Sequence, residues 1–198
     1  MAIGKPSIHP LWLRLVHWTN AAAVVILIMS GWRIYNATGF MGFKFHKDMT
    51  LGGWLGGAIQ WHFAAMWILF ANVVIYAVMS VATRRWSRKY FPLTPKSLWD
   101  DVRHFVRGKL SHSDLSIYNS IQKAAYLFAI IDLVVLVVSG LALWKPVQLS
   151  WLAVLVGGYE GARRVHFFAM AGICAFIVVH VVMALLVPKT VKAMLWGR

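Results

Sequence analysis

Four apolar runs, each long enough to cross a lipid bilayer, constrain this chain more than anything else in it. A spanning helix needs roughly 20 consecutive apolar residues. The runs cover about Leu11 to Ile34, Trp54 to Ala82, Ala124 to Trp144 and Val165 to Val187, with Arg14 and His17 interrupting the start of the first. A fifth run, Val147 to Val156, has 10 residues and is too short to span, so it is expected in the interface or as a cap on the bundle. No short apolar stretch ending in a small-residue cleavage site precedes the first run, which is therefore expected to be kept as a spanning helix. The expected architecture is all-α: an integral membrane four-helix bundle forming one membrane-embedded domain over residues 1–198.

Charge supports the bilayer as solvent. Only 13% of the residues are charged, about half the share of a soluble domain. The net charge of +14 would suggest nucleic acid in a soluble protein. Here the basic residues lie between apolar runs, which fits anionic lipid headgroups and no nucleic-acid partner. With four spans, both termini share a side with the loop joining the second and third runs. That side carries 14 of the 20 Lys and Arg residues, so the positive-inside rule places both termini in the cytoplasm of a bacterial inner membrane. In that loop, Thr94-Pro95 offers a helix start, and Leu98, Val102, Phe105 and Val106 recur at helical spacing. Residues 95–108 are expected to form an interfacial amphipathic helix, the alternative being a solvated loop. No internal repeat is evident.

The single cysteine, Cys174, excludes an internal disulfide, a zinc ribbon and an iron–sulfur cluster held by this chain alone. No Cys-x-x-Cys-His is present, so covalent haem attachment is excluded as well.

Histidine carries the chemistry. His9, His46, His104 and His112 fall in terminal or loop stretches and read as surface residues. His17, His62, His166 and His180 fall within or at the edge of spans, where coordinating groups are costly and function is the default reading. The topology sorts them by depth into an inner pair, His17 with His180, and an outer pair, His62 with His166. His166 and His180 are 14 residues apart, which at about 100° per residue puts both on nearly one helix face, roughly 21 Å apart. Paired imidazoles from facing helices can clamp the iron of a flat macrocycle, and two such clamps would carry electrons across the bilayer. One intramembrane histidine is often a hydrogen-bonded core residue. Four, paired by depth, are hard to ascribe to packing, and zinc would want four ligands in one place. The expected cofactors are two non-covalent b haems.

Several residues support this with a plainer reading beside them. Gly31 lies 14 residues after His17, and could admit the edge of a macrocycle or serve close helix packing. Arg33, Arg163 and Arg164 stand at the outer boundary, as partners for haem propionates or as ordinary interfacial arginines. Asp132 is the one carboxylate inside the four runs. It must face protein, for structure or for proton handling.

HPLWLRLVHW in the first run, LSIYNSIQKAAY leading into the third, RRVHFFAMAGICAFIVVHVVMAL in the fourth and PKTVKAMLWGR at the C-terminus together resemble the bacterial b-type cytochrome family. That family includes the membrane subunits of nickel–iron hydrogenases and formate dehydrogenases. The resemblance implies a four-helix bundle with two b haems, ligated by residues matching His17 and His180 inside and His62 and His166 outside. It also implies a quinone site beside the inner haem, at positions matching Tyr118, Asn119 and Gln122. These could hydrogen-bond a quinone carbonyl, or merely cap and link the helix end. Ile121 departs from the glycine that precedes this glutamine in formate dehydrogenase subunits. MTLGGWLGGAIQWHFAAMW and ALWKPVQLSWL further resemble relatives that serve periplasmic molybdopterin enzymes of the sulfite-oxidase type.

Two functions therefore compete. One is an electron-transfer subunit linking quinone or quinol to a periplasmic redox subunit, with a molybdopterin enzyme as the candidate that the resemblance suggests. The other is a stand-alone superoxide oxidase passing electrons to quinone, for which the outer cations Arg33, Lys44, Lys47, Arg163 and Arg164 could steer the anion. A haem-free membrane anchor is disfavoured by the layered histidines. The sequence leaves the oligomeric state open.

Overall fold

The computed structural model describes residues 9–84 and 120–197, with side chains in the third long helix from Ala124 onward. Among the described residues all regular structure is helical. The helices are α1 (Leu11–Ala37), a 3-10 turn (Lys47–Met49), α2 (Leu55–Ala82), α3 (Ser120–Trp144), α4 (Ser150–Leu155), α5 (Gly158–Leu186) and α6 (Pro188–Trp196). α1, α2, α3 and α5 are long and apolar enough to cross a membrane. At 1.5 Å per residue the 27 residues of α1 measure about 40 Å, enough for a hydrocarbon core of about 30 Å with turns to spare. Helices suit that medium because each satisfies its own backbone amides without water.

The spans are close to those expected from hydropathy, with two differences, at the end of α1 and the start of α5. α1 runs three residues past Ile34, to Ala37, and α5 begins at Gly158, seven residues before Val165. The extra turns are amphipathic and polar, so a hydropathy reading stops short of them. Glu160 thereby falls in the first turn of α5, where a carboxylate is favoured by the helix dipole. Asp132 is thus not the only acidic residue on a spanning helix. The short run at 147–156 contains the six-residue α4. The expected interfacial helix at 95–108 lies outside the described residues.

The described residues fall into two compact units. The first comprises α1, α2, their connecting loop and the chain end from Lys192. Large apolar side chains point outwards here, with Val78 and Val81 61% and 75% exposed, while Ala23, Ala58, Ala65 and Ser30 are buried. This inverts the soluble pattern. Lipid is as apolar as valine, so close approach of backbones at small residues holds such helices together. Asn72 of α2 adds a polar clasp, its Nδ2 donating to Val16 O and Asn20 Oδ1 of α1, both at 2.9 Å. At one end of α1, Arg14 Nη1 donates to Leu195 O at 2.7 Å. At the other end, Asn36 and Phe45 exchange two hydrogen bonds of 2.8 Å, and Trp32 stacks on Phe45 at 4.7 Å. The loop then turns into α2 at Gly52, whose φ is +104° and where a Cβ would strike the backbone of Ala58.

The second unit comprises α3, α4, α5 and the start of α6. Buried Ala142, Leu152, Ala153 and Ala162 join α3, α4 and α5 in one apolar cluster. Lower down, Gly172 of α5 faces Asp132 of α3, and a Cβ there would come 2.9 Å from Asp132 Oδ2.

Candidate functional site

The four intramembrane histidines divide evenly between the units. α1 and α2 of the first unit carry His17 and His62, and α5 of the second carries His166 and His180. All four are partly buried. His17 meets Trp18 edge to face, with ring centroids 5.2 Å apart. His180 lies nearly parallel to Phe176, one turn earlier on α5, at 5.5 Å and 18°.

His62 and His166 are held more specifically. His62 Nδ1 lies 3.0 Å from Ser30 Oγ of α1, and His166 Nδ1 lies 3.0 Å from Ser139 Oγ of α3. Each hydroxyl also donates back to the carbonyl four residues earlier, Ile26 and Val135 respectively, at 2.6 Å. Ser30 and Ser139 are 0% and 1% exposed, so water cannot substitute for either. The residue after each serine is glycine, and each glycine lies against the histidine ring. A Cβ at Gly31 would stand 3.5 Å from His62 Cε1, and one at Gly140 would stand 3.2 Å from His166 Cε1. A Cβ at Gly31 would thus be in ordinary contact with its imidazole, whereas one at Gly140 would press on the ring.

Within each unit the two histidines are widely separated along the helix axis. Ser30, which meets His62, is 13 residues beyond His17 on α1, or roughly 20 Å at 1.5 Å per residue. On α5 the interval from His166 to His180 is 14 residues, or roughly 21 Å. Each hairpin by itself thus carries one histidine of each expected level.

The remaining candidates fare differently. Arg163 is engaged, donating from Nη1 to Glu160 Oε1 and Oε2 at 2.8 and 3.0 Å. Arg33 is half-buried and Arg164 exposed, and neither forms an ion pair among the described residues. Gln122 lies in the first turn of α3, while Tyr118 and Asn119 lie outside the described residues. Asp132 Oδ2 is buried with no hydrogen-bond partner among the described residues. Sequence reasoning missed Ser30, Ser139 and Gly140. The signal was a short recurring pattern, Val-x-Leu-x-x-Ser-Gly ending at Gly31 and at Gly140, followed on the next span by His-Phe-x-Ala-Met from His62 and from His166.

Apolar helices long enough to cross a membrane, with partly buried histidines far apart along each hairpin, fit a membrane cytochrome of the b type. The chain belongs to the prokaryotic cytochrome b561 family, whose model matches residues 8–197. It is 56% identical over 192 residues to protein-methionine-sulfoxide reductase subunit YedZ1 of Azospira oryzae, covering 97% of each chain. It is 28% identical over 184 residues to the formate dehydrogenase cytochrome b556(fdo) subunit of Escherichia coli, covering 93% of this chain and 81% of that one. Against the Ni/Fe-hydrogenase B-type cytochrome subunit of Azotobacter vinelandii the identity is 25% over 194 residues, covering 87% and 77%. This chain is accordingly a multi-pass bacterial membrane cytochrome of the electron-transfer type, with haem b as its cofactor.

The donor set fits that cofactor. With Nδ1 of His62 and His166 beside a serine hydroxyl, each ring can offer Nε2, the atom a haem iron takes from neutral histidine.

Proposed function

We propose that this protein is the electron-transfer subunit of a quinone-linked oxidoreductase in the bacterial inner membrane, with both termini in the cytoplasm. His17 and His180 hold an inner b haem, and His62 and His166 hold an outer one. The observation that carries this reading is the pair of serine-held imidazoles, one per hairpin, each about 20 Å along its unit from a second histidine. When bound, haem b supplies a one-electron iron couple whose potential the protein sets through ligands and surroundings.

The chain's own residues do the rest. Neutral imidazoles ligate without bringing charge into the bilayer. Arg33 and Arg164 offer guanidinium groups to propionates at the outer boundary, a role for which Arg163 is less available because Glu160 already occupies it. Gln122 lies in the first turn of α3, and Tyr118 and Asn119 shortly precede it in sequence. Their amide and hydroxyl groups supply the donors a quinone carbonyl needs. On the periplasmic side the partner is a soluble redox subunit, and the name of the Azospira relative supports one that reduces oxidised methionine in proteins. A molybdopterin enzyme of the sulfite-oxidase type fits that chemistry. The same name favours the subunit reading over a stand-alone superoxide oxidase.

The test is a redox titration of the purified protein with quinol-driven haem reduction. Gln122→Leu and Asn119→Ala are expected to slow reduction by quinol about tenfold, a loss of about 1.4 kcal/mol of transition-state stabilisation, at normal haem content. Exchange with a periplasmic-side artificial donor stays unchanged. Normal quinol kinetics in both variants would remove the quinone site from this pocket.

A further inference from the structure

The geometry points to Ser30 and Ser139 as positioning residues that fix His62 and His166 in the Nδ1–H tautomer, leaving Nε2 of each ring as the ligating atom. This rests on the reading of those histidines as the outer haem ligands.

The assignment follows from proton counting. A serine hydroxyl has one proton and two lone pairs. Ser30 Oγ lies 2.6 Å from Ile26 O, and Ser139 Oγ lies 2.6 Å from Val135 O. A carbonyl oxygen is only an acceptor, so two oxygens at that distance need the serine proton between them. The proton being spent there, the Oγ can meet Nδ1 at 3.0 Å only by accepting. The ring must therefore carry hydrogen on Nδ1 and a lone pair on Nε2. Both hydroxyls are buried, so no water offers an alternative partner. At His166 the Leu136 carbonyl also accepts from the ring, which equally needs the hydrogen on the ring nitrogen. Gly31 and Gly140 lie against the Cε1–Nδ1 edge of each ring.

The device occurs twice, at intervals of 32 and 27 residues between serine and histidine, within a short shared pattern of Val-x-Leu-x-x-Ser-Gly on the first helix and His-Phe-x-Ala-Met on the second. Mid-helix serines commonly bond back to the preceding turn. What is unusual is that both then receive a histidine from the next span of their own hairpin. An Nδ1–H donated to an oxygen makes imidazole a stronger donor to a metal. Because each serine is itself donating, its oxygen is a better acceptor than an isolated hydroxyl. The two serines therefore favour the oxidised outer haem and hold its potential down, while the ring planes are locked by the same bonds.

The experiment uses the full chain in detergent, comparing S30A, S139A, the double variant and S30T with the unaltered protein. Readouts are haem content, the midpoint potential of each haem and the low-spin ferric electron paramagnetic resonance spectrum. The expected result is an upward shift of the outer potential in each alanine variant, larger in the double. A change in the g-anisotropy of that haem accompanies it, the inner haem is unaffected, and S30T restores the original values. An outer potential and spectrum unchanged in S30A and S139A at full haem content would overturn the inference. So would loss of the outer haem in both S30A and S30T, since the hydroxyl would then not decide occupancy. Loss in S30A with recovery in S30T supports it. His62→Ala separates the two levels of argument. If it keeps the outer haem, the ligand reading itself fails; if it loses that haem while S30A is silent, the positioning role alone fails.

Discussion

The α1–α2 hairpin and the α3–α5 hairpin solve one problem with different surroundings. Both present a histidine to a buried serine of the preceding span and seat its ring against a glycine. Their connections have little in common. The first is closed by a long loop pinned through Asn36 and Phe45 and turned at Gly52. The second is closed by the short α4 and its alanine- and leucine-lined cluster. What they share marks what the site demands, namely an oriented imidazole where two helices meet. What differs is the connection between the spans, the part of a helical hairpin most free to vary.

The hairpins also differ deeper in the membrane. Asn72 joins α2 to α1 with two hydrogen bonds, whereas Asp132 presses an unpartnered oxygen against Gly172. A satisfied polar clasp stabilises a helix pair in lipid, while an unsatisfied group costs free energy.

The largest effect should come from the histidines, and it tests whether the hairpins contribute equally. His62→Ala and His166→Ala are each expected to lower haem from about two to about one per chain by pyridine haemochrome assay, with the inner spectrum kept. Unequal losses would break the equivalence of the two hairpins at the outer haem. His17→Ala should instead remove the inner haem.

Next in size is the Gly52 turn of the first hairpin. Gly52→Ala places a methyl on the Ala58 backbone at a positive φ, which is expected to cost about 1–3 kcal/mol of stability. Thermal unfolding of the haem-loaded protein reads it, and an unchanged midpoint would show that this loop is dispensable.

A finer contrast concerns the two ring-seating glycines. The Cβ of Gly140→Ala would lie at 3.2 Å from its histidine and that of Gly31→Ala at 3.5 Å. The second is ordinary contact and the first requires the ring to give. Outer-haem retention under dilution should therefore fall more in Gly140→Ala, by about 1 kcal/mol. Equal retention would remove the distinction.

The smallest effect separates the polar residues at depth. Asn72→Leu should lower stability by about 0.6–1.7 kcal/mol, the range for interhelical hydrogen bonds in membranes. Asp132→Ala is expected to leave it unchanged or raise it, because no partner is left unsatisfied. A loss in Asp132→Ala as large as in Asn72→Leu would show that the carboxyl has a structural role.

Much was legible in advance where the property is local to one helix. Length and hydropathy settled that four segments can cross a membrane, because the bilayer imposes both requirements on each segment separately. The interval from His166 to His180 is likewise a property of one helix, since rise per residue needs no partner. The start of α5 was misjudged because Glu160, Arg163 and Arg164 lower the hydropathy of a helix that continues through them.

The serine–histidine bonds belong to the other category. Ser30 and His62 are 32 residues apart, and Ser139 and His166 are 27 apart. Nothing in either segment says which face of one helix will meet the other. That depends on rotation and axial offset of the helices, set by where small side chains let two backbones approach. Spans and histidine spacing were therefore determined by sequence through local geometry. Which serine meets Nδ1 of His62 and of His166 was decided by tertiary structure, because only helix packing brings a hydroxyl already bonded to its own helix against the ring.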